Sequence, residues 1–321
     1  MLLRFLLRPC ISFDIDLKIC IIVIHMLAGI RVSAPAKINI GLKVFPKRAD
    51  GFHDIESIFQ TVCLCDELEV TLTAENRREF TVSCDAMELP EDNTLSRTYE
   101  AFCDLTGKSI GVRVMLKKHI PAGGGLGGGS SDAAAFLRAL CTITEETLSA
   151  EQQAEIAARV GSDVFFFLHC RYPGCAVVSG RGEKVRTISP RSDIYVLLVF
   201  PGVHSSTKVA YGLVDAYMES GKLVDGLGLP ELEAEYRKPA AEWRFTNSFT
   251  APLAQTHPEI GRALADVRSA GALFADMSGS GSTVYGVFDS VSAVKNASLV
   301  LTQSWNCCAA VPDENKNVSL Y

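Results

Sequence analysis

The sequence predicts an α+β fold with two domains. Strand-like and helix-like segments mix along the 321 residues without the regular βαβ alternation of a parallel sheet covered by helices. The length suits about two domains. A polar, proline-containing stretch at 189–193 separates two such mixtures. We therefore expect one domain over 31–190 and a second over 191–321.

The elements expected before the boundary follow from apolar periodicity. The strands are predicted at 31–45, 67–73, 79–84, 110–117, 174–179 and 184–188. The helices are predicted at 93–103, directly after the glycine-rich run at 123–129, and at 150–160.

The second half begins with an apolar strand. Its expected elements are a strand at 194–200, helices at 207–219 and 257–270, a strand pair within 272–288 and a closing segment to about 312. The acidic, Gly- and Pro-containing stretch 221–242 is predicted to be a surface excursion.

Residues 1–30 are expected to be an N-terminal extension outside the fold, which would begin near Met26. The apolar run Ile19–Ile24 is far shorter than the ~20 residues that span a bilayer, and charged residues interrupt the stretch before it. We expect an upstream start or a disposable extension here, and no membrane anchor.

Composition excludes several classes of protein. With 48% hydrophobic and 21% charged residues the chain is of the globular type. A net charge of −6 disfavours a nucleic-acid binder. The eleven cysteines show no zinc-site spacing, so we expect free thiols in a reducing cytoplasm and no protein-held metal.

A glycine-rich loop is the strongest functional signal. Six of the seven residues 123–129 are glycine, and an alanine-rich helix follows at once. Glycine lets the backbone turn with positive φ and bring N–H groups close to a ligand, while a helix N-terminus favours an anion. The two serines can donate hydroxyls to a phosphate, or one can cap the helix. A flexible linker is the alternative. The candidate phosphate-binding residues are Pro121, Ala122, Gly123, Gly124, Gly125, Leu126, Gly127, Gly128, Gly129, Ser130 and Ser131.

A second cluster of small residues, Ser278–Ser282, precedes a strand-like run. Such a turn can form another anion-binding nest, and a tight hairpin is an equal alternative. Together with the first loop it suggests two walls of one phosphate site, with Ser280 and Gly281 among the ligand-binding residues.

Three segments in this order resemble the GHMP superfamily of small-molecule kinases: APAKINIGL at 34–42, GGGLGGGSSDAA at 123–134 and MSGSGS at 277–282. The run at 48–61 narrows the resemblance to the branch that phosphorylates the 2-hydroxyl of 4-diphosphocytidyl-2-C-methyl-D-erythritol in isoprenoid precursor biosynthesis. The resemblance covers about 31–288.

The resemblance implies an N-terminal ATP domain, a C-terminal domain with a ferredoxin-like core and an active site in the cleft between them. ATP with Mg²⁺ would be the phosphoryl donor, the ion bridging phosphate oxygens without a carboxylate cage. The implied protein is cytoplasmic, a monomer or weak homodimer, with no nucleic-acid or membrane partner.

Two residues would carry the chemistry. Lys37 matches the family's active-site lysine, although a strand lysine can also point to solvent. Asp163 matches the catalytic base, although an aspartate there can also cap a helix or turn. The lysine would favour the ionised carboxylate, which would accept the proton of the acceptor hydroxyl. Ser162 and Phe165 depart from the family pattern G-A-D-V-P-F around this aspartate.

Recognition residues are carried over in the same way. Phe52, often tyrosine in the family, and Tyr211 would sandwich the cytosine, and His53 would read its edge. Ordinary core aromatics are the alternative for the two rings. The further implied contacts are Asn39 and Thr207 to the substrate, and Asn93 and Lys118 on the adenosine side, where Lys118 could equally be a solvated strand edge.

Two rival functions remain. A kinase for another small alcohol, such as homoserine or mevalonate, is opposed by the run Gly51–His53. A non-catalytic ligand sensor on the same fold would be expected to lack Lys37, Asp163 or the intact loop, and all three are present.

Overall fold

The computed structural model describes residues 29–204, 206–222 and 226–310. Residues 1–28 of the expected extension therefore lie outside the described residues. The elements of the first half are β1 (Ile30–Val44), β2 (Ile55–Glu75), β3 (Glu79–Cys84), α1 (Thr94–Thr106), β4 (Ile110–Lys117), α2 (Gly128–Ile143), α3 (Ala150–Val160), α4 (Ser162–His169), β5 (Cys175–Gly180) and β6 (Lys184–Ile188).

These strands form one sheet in the order β3-β4-β2-β5-β6, with β1 paired to β2. The pairing is antiparallel except between β3 and β4. Helix α2 packs against β1 and β2, with Ala133, Ala134 and Ala135 buried. Small side chains let the helix backbone come close to the sheet, which brings the start of α2 near the middle of β1.

The second half has its own sheet, in the order β10-β7-β9-β8 with antiparallel pairing. Its elements are β7 (Tyr195–Phe200), α5 (Thr207–Glu219), α6 (Leu229–Tyr236), a 3₁₀ turn (Ala240–Glu242), α7 (Thr250–Thr256), α8 (Pro258–Ser269), β8 (Phe274–Met277), β9 (Val284–Phe288), α9 (Val291–Leu301) and β10 (Asn306–Ala310). The mixed sheets and helices confirm the α+β class.

The prediction of a surface excursion at 221–242 is wrong from Leu229 onward, where the segment forms helix α6 and the 3₁₀ turn; residues 223–225 lie outside the described residues. Helix α6 packs against β2 and β5, and Leu232 and Tyr236 are buried. The hydroxyl of Tyr236 donates to Gln60 Oε1 at 2.5 Å. Glu235 of this segment is itself buried and paired with Lys238 and Arg244, so the average polarity of the segment was misleading.

Other differences concern boundaries. Strand β2 starts at Ile55, well before the predicted 67–73, and helices α4, α6, α7 and α9 were not predicted. Every cysteine in the described part of the chain is free, as expected. In the same residues, no helix has both the length and the apolar character needed to cross a bilayer.

Candidate active site

The glycine loop is a tight backbone turn that ends at a helix N-terminus. Gly123, Gly125 and Gly127 have φ of +71°, +75° and +71°, a region that side chains with a Cβ rarely adopt. Gly127 is the N-cap of α2, and no side chain caps that end. The alternative that one of the two serines caps this helix is therefore wrong. Ser131 Oγ is buried without a partner among the described residues.

The second cluster of small residues touches the first. It turns the chain from β8 to β9, so it is a hairpin and a wall of the same cleft. Ser278 Oγ donates to Gly125 O at 2.9 Å, and Thr283 N donates to Gly124 O at 3.2 Å. A Cβ on Gly125 would lie 2.0 Å from Ser278 O, so this approach needs a glycine.

Lys37 does not point to solvent. It lies in β1 beneath the glycine loop and is 3% exposed. Its Nζ donates to Asn39 Oδ1 at 2.6 Å and to Gly125 O at 3.0 Å, and lies 3.5 Å from Asp163 Oδ2. Burial lowers the pKa of Lys37, and the charge of Asp163 acts in the opposite direction.

Asp163 stands in the first turn of α4, whose N-cap is Gly161. The capping alternative for this aspartate is therefore wrong. Its side chain is 31% exposed towards the cleft, while the lysine that it faces is buried. This arrangement presents a carboxylate to a ligand beside a fixed cation, which suits both charge stabilisation and proton acceptance.

Asn39 links Lys37 to both halves of the chain. Its side-chain Nδ2 donates to Ser57 Oγ at 3.2 Å, and its backbone N–H donates to Ser278 Oγ at 3.3 Å. With Oδ1 engaged by Lys37, the amide has no conformational freedom. It therefore orients the lysine from within the same strand.

Lys118 is part of a buried cluster of charged side chains. The alternative that it is a solvated lysine at a strand edge is therefore wrong. Its Nζ lies 2.5 Å from Asp66 Oδ2 and 2.7 Å from Asp132 Oδ2. Asp66 Oδ1 also accepts the N–H groups of His119 and Ile120 at 2.6 and 2.8 Å. The pKa of Asp132 is raised to about 7, mainly by burial. Asp132 Oδ1 has no hydrogen-bond partner among the described residues.

Sequence reasoning missed both aspartates of this cluster. Asp132 directly follows the two serines of the loop, which was an available signal. Asp66 had none, because its role depends on pairing across the sheet. Asn93, selected for the adenosine side, lines the cleft and is the N-cap of α1, with Oδ1 accepting from Leu95 N and Ser96 N at 2.9 and 3.0 Å.

Only some of the residues expected to bind the substrate line the cleft. Tyr211 lines the cleft, and Thr207 Oγ1 lies 3.2 Å from Ser280 Oγ. His53 stacks on Tyr211 with ring centroids 4.8 Å apart. Burial raises the pKa of Tyr211 to about 12. The predicted site residues that do not line the cleft are Phe52, His53, Ser131 and Gly281.

The cleft has a volume of about 460 Å³. It is lined along one side by the glycine loop and along the other by residues of the second half. The lining includes the apolar side chains Met87, Leu89 and Leu95 together with charged side chains, which are Lys37, Lys118, Asp132 and Asp163. An elongated ligand with a flat apolar end and a polyanionic chain fits this distribution.

A magnesium ion fits as a companion of phosphate groups. No group of three His, Cys, Asp or Glu side chains in the described ranges could hold a metal by itself. The cleft offers Asp163 and the hydroxyl of Ser130 as oxygen donors. Mg²⁺ commonly keeps its waters and takes one or two carboxylates besides substrate phosphates, so this donor set suits it.

Comparisons with known proteins agree with this geometry. Residues 93–171 match the model of the GHMP kinases N terminal domain, and residues 233–307 match that of the GHMP kinases C terminal. A 4-diphosphocytidyl-2-C-methyl-D-erythritol kinase of Treponema pallidum is 42% identical, covering 88% of this chain and 98% of its own. One of Thermotoga maritima is 41% identical, covering 79% and 90%.

Solved structures give the same result. The crystal structure of a 4-(cytidine 5′-diphospho)-2C-methyl-D-erythritol kinase is 28% identical, with a TM-score of 0.71 over 87% of this chain and 98% of that one. Homoserine kinase from Cytophaga hutchinsonii shares the fold, with a TM-score of 0.60 at 18% identity over 88% and 94% of the two chains. This chain therefore belongs to the GHMP kinases, the family that includes its 4-diphosphocytidyl-2-C-methyl-D-erythritol kinase relatives, and it is an ATP-dependent small-molecule kinase.

Proposed function

We propose that the chain transfers the γ-phosphoryl group of ATP to the 2-hydroxyl of 4-diphosphocytidyl-2-C-methyl-D-erythritol, a step of isoprenoid precursor biosynthesis. The observation that carries the proposal is the placement of Lys37 and Asp163 3.5 Å apart at the end of the glycine loop. The relatives that cover most of this chain are named as kinases of this acceptor, which supports the choice of substrate.

The glycine loop and the N-terminus of α2 would hold the phosphates of ATP. Their backbone N–H groups supply donors without side-chain entropy, and the helix dipole favours negative charge. The apolar lining residues Met87, Leu89 and Leu95 would contact the adenine, with Lys118, held by Asp66 and Asp132, at its edge. Bound Mg²⁺ would neutralise phosphate charge, with Asp163 and Ser130 among the oxygen donors that line the cleft.

Lys37 and Asp163 would act on the acceptor. Phosphoryl transfer depends mostly on positioning and on stabilising charge. The carboxylate of Asp163 would orient the 2-hydroxyl and accept its proton, while Lys37 would stabilise the negative charge that develops at the transferred group. Asn39 and Gly125 hold the ammonium in place, so little reorganisation would be needed.

The cytidyl end would bind near Tyr211 and His53. These rings already stack, and Nδ1 of His53 lies 2.8 Å from Phe45 O. The other ring nitrogen, Nε2, lies 3.5 Å from Asp215 Oδ1, so contacts at both nitrogens fix the plane of the ring. Base stacking on an aromatic ring is worth about 1–3 kcal/mol.

The experiment is ATP consumption by the purified full chain with 4-diphosphocytidyl-2-C-methyl-D-erythritol, homoserine or mevalonate. We expect turnover with the first acceptor alone. In Asp163→Asn we expect kcat to fall by about 10²- to 10⁴-fold, the range for loss of a general base. Asp289→Asn, an exposed aspartate after β9, is the matched control and should keep wild-type rates. Turnover with homoserine or mevalonate instead would overturn the proposed choice of substrate. An Asp163→Asn enzyme with the kcat of wild type would overturn the proposed role of Asp163 as the base.

A further inference from the structure

An arginine that the sequence motifs did not single out covers one face of Phe52. The guanidinium carbon of Arg181 lies 3.4 Å from the centre of the Phe52 ring. A guanidinium is planar and stacks well on an aromatic face. Phe52 nevertheless remains 48% exposed, so a large part of its ring is open to a ligand.

The backbone of Phe52 is held firmly, so its exposure is a fixed feature of the surface. Asp50 Oδ1 accepts the N–H of Phe52 at 3.1 Å, and the carbonyl of Phe52 accepts from Arg48 N at 2.8 Å. Asp50 Oδ2 accepts from the Arg48 guanidinium at 2.8 Å. The pKa of Asp50 is lowered, mainly by the hydrogen bond that its carboxylate accepts from the N–H of Phe52. The charges of Arg48 and Arg181 act in the same direction.

The turn that carries Arg181 lies between the Phe52 loop and the helix of Asp163. Glu183 accepts the backbone N–H of Arg181 at 2.6 Å, which fixes the turn. A Cβ on Gly182 would lie 3.0 Å from Cβ of Ser162, the neighbour of Asp163. The backbone next to Arg181 therefore lies beside the start of the helix that carries Asp163, although Arg181 itself does not line the cleft.

The charge of Arg181 acts on Asp50, but that carboxylate is already paired with Arg48. In the part of the chain that the structure describes, its guanidinium forms no salt bridge. Neighbouring arginines, such as Arg48, are paired with Asp50 and Asp54. An unpaired cation stacked on an open aromatic ring suits a ligand that combines a flat base with an anionic group.

We propose that Arg181 is a specificity-determining residue for the acceptor. Its guanidinium backs one face of Phe52, the cytosine stacks on the open part of that ring, and the cation attracts the diphosphate attached to the base. The inference rests on the proposed function, because it concerns the same cytidine diphosphate end of the substrate. It adds a residue that recognises both parts of that group at once.

The test compares Arg181→Ala and Arg181→Lys with wild type in steady-state kinetics and in direct binding of CDP. Arg186→Ala is the matched control, because this arginine lies on the same hairpin but pairs with Glu233 away from the cleft. In Arg181→Ala we expect KM for the cytidyl acceptor and Kd for CDP to rise about tenfold, a typical loss for a cation–π contact together with a charge interaction. KM for ATP and kcat should stay within about twofold.

The lysine variant separates charge from stacking. It keeps the cation but loses the planar stack, so we expect an intermediate KM and an unchanged salt dependence, whereas Arg181→Ala should reduce the salt dependence of CDP binding. An unchanged or lower KM in Arg181→Ala would overturn the inference, since a lower value means that the guanidinium occupies the place of the base. If wild type fails to phosphorylate the acceptor, the proposed function fails, and CDP binding by wild type and Arg181→Ala still decides the role of Arg181.

Discussion

Lys37 donates a hydrogen bond to the carbonyl of Gly125 across 3.0 Å, so the buried cation of β1 is tied to the backbone of the glycine loop. The same ammonium lies 3.5 Å from Asp163. One side chain therefore connects the expected phosphate-binding backbone to the expected catalytic carboxylate. A change at this lysine should affect both parts.

Lys37→Met should reduce kcat by about 10²- to 10³-fold, the loss seen when one preorganised charge-stabilising donor is removed. The methionine fills the volume but leaves Asn39 Oδ1 without the Lys37 donor, while Gly125 O keeps only the donor Ser278 Oγ. Steady-state kinetics with the cytidyl acceptor measures the loss. Lys47→Met, an exposed lysine, is the control and should be silent, and a Lys37→Met enzyme with wild-type kcat would contradict the role of the cation.

The pH dependence should show an early alkaline decline. Burial lowers the pKa of Lys37, so the ammonium loses its proton at a lower pH than an ordinary lysine. Activity that needs the cation is then full below this lowered pKa and falls as the pH rises through it. In Lys37→Arg, whose guanidinium stays charged, the residual activity should extend to higher pH. The measurement is a kcat profile from pH 6 to 10 for both proteins, and coincident alkaline limbs would assign the decline to another group.

Gly125→Ala should weaken ATP binding and the fold together. The new Cβ would lie 2.0 Å from Ser278 O, and φ is +75°. Either the backbone of the new alanine or Ser278 must move, and a strained backbone conformation of this kind costs about 1–3 kcal/mol. Urea unfolding and ATP titration measure the two effects. Gly212→Ala is the opposite control, since its Cβ meets nothing within 4 Å and alanine favours the helix interior by about 1 kcal/mol.

Asp66→Ala should be among the most destabilising single changes near the site. Removing one partner leaves Lys118 buried with one carboxylate and frees the N–H groups of His119 and Ile120. Breaking a buried ion pair from one side costs about 3–5 kcal/mol. Asp66→Asn keeps an acceptor and should cost less. The check is the free energy of unfolding in urea, and a loss below about 1 kcal/mol for Asp66→Ala would show that the cluster relaxes or hydrates.

The parts of the site that sequence predicted are those set by local pattern. The glycine loop, the following helix and Lys37 lie in short segments whose composition restricts the backbone. The parts it could not predict depend on contacts between distant segments. Asp66 meets Lys118 across paired strands, and Arg181 meets Phe52 only because β5 pairs with β2 at Ile55. Neither contact has a local signature.

The same reasoning explains the misassigned stretch after α5. Its charges and its glycine and proline residues indicated a surface loop, whereas Tyr236 and Trp243 turn inward from a polar context. Trp243 stacks on Tyr236 with ring centroids 5.9 Å apart and meets Phe245 and Phe274 edge-on at 5.5 Å. The few aromatic residues in this polar stretch do not recur at a regular helical or strand spacing, so the sequence pattern did not indicate a buried face.

Trp243→Ala tests whether this segment is anchored in the core, because Trp243 directly follows it and stacks on its Tyr236. The side chain is 7% exposed, and truncating a buried tryptophan costs about 3–5 kcal/mol. Because Trp243 does not line the cleft, KM for ATP should not change in the protein that remains folded. Leu299→Ala, at a leucine that is 71% exposed on α9, should stay within about 0.5 kcal/mol of wild type. Urea unfolding followed by circular dichroism compares the two, and equal midpoints would restore the surface interpretation, since a tryptophan packed only on the outside contributes little to the free energy of unfolding.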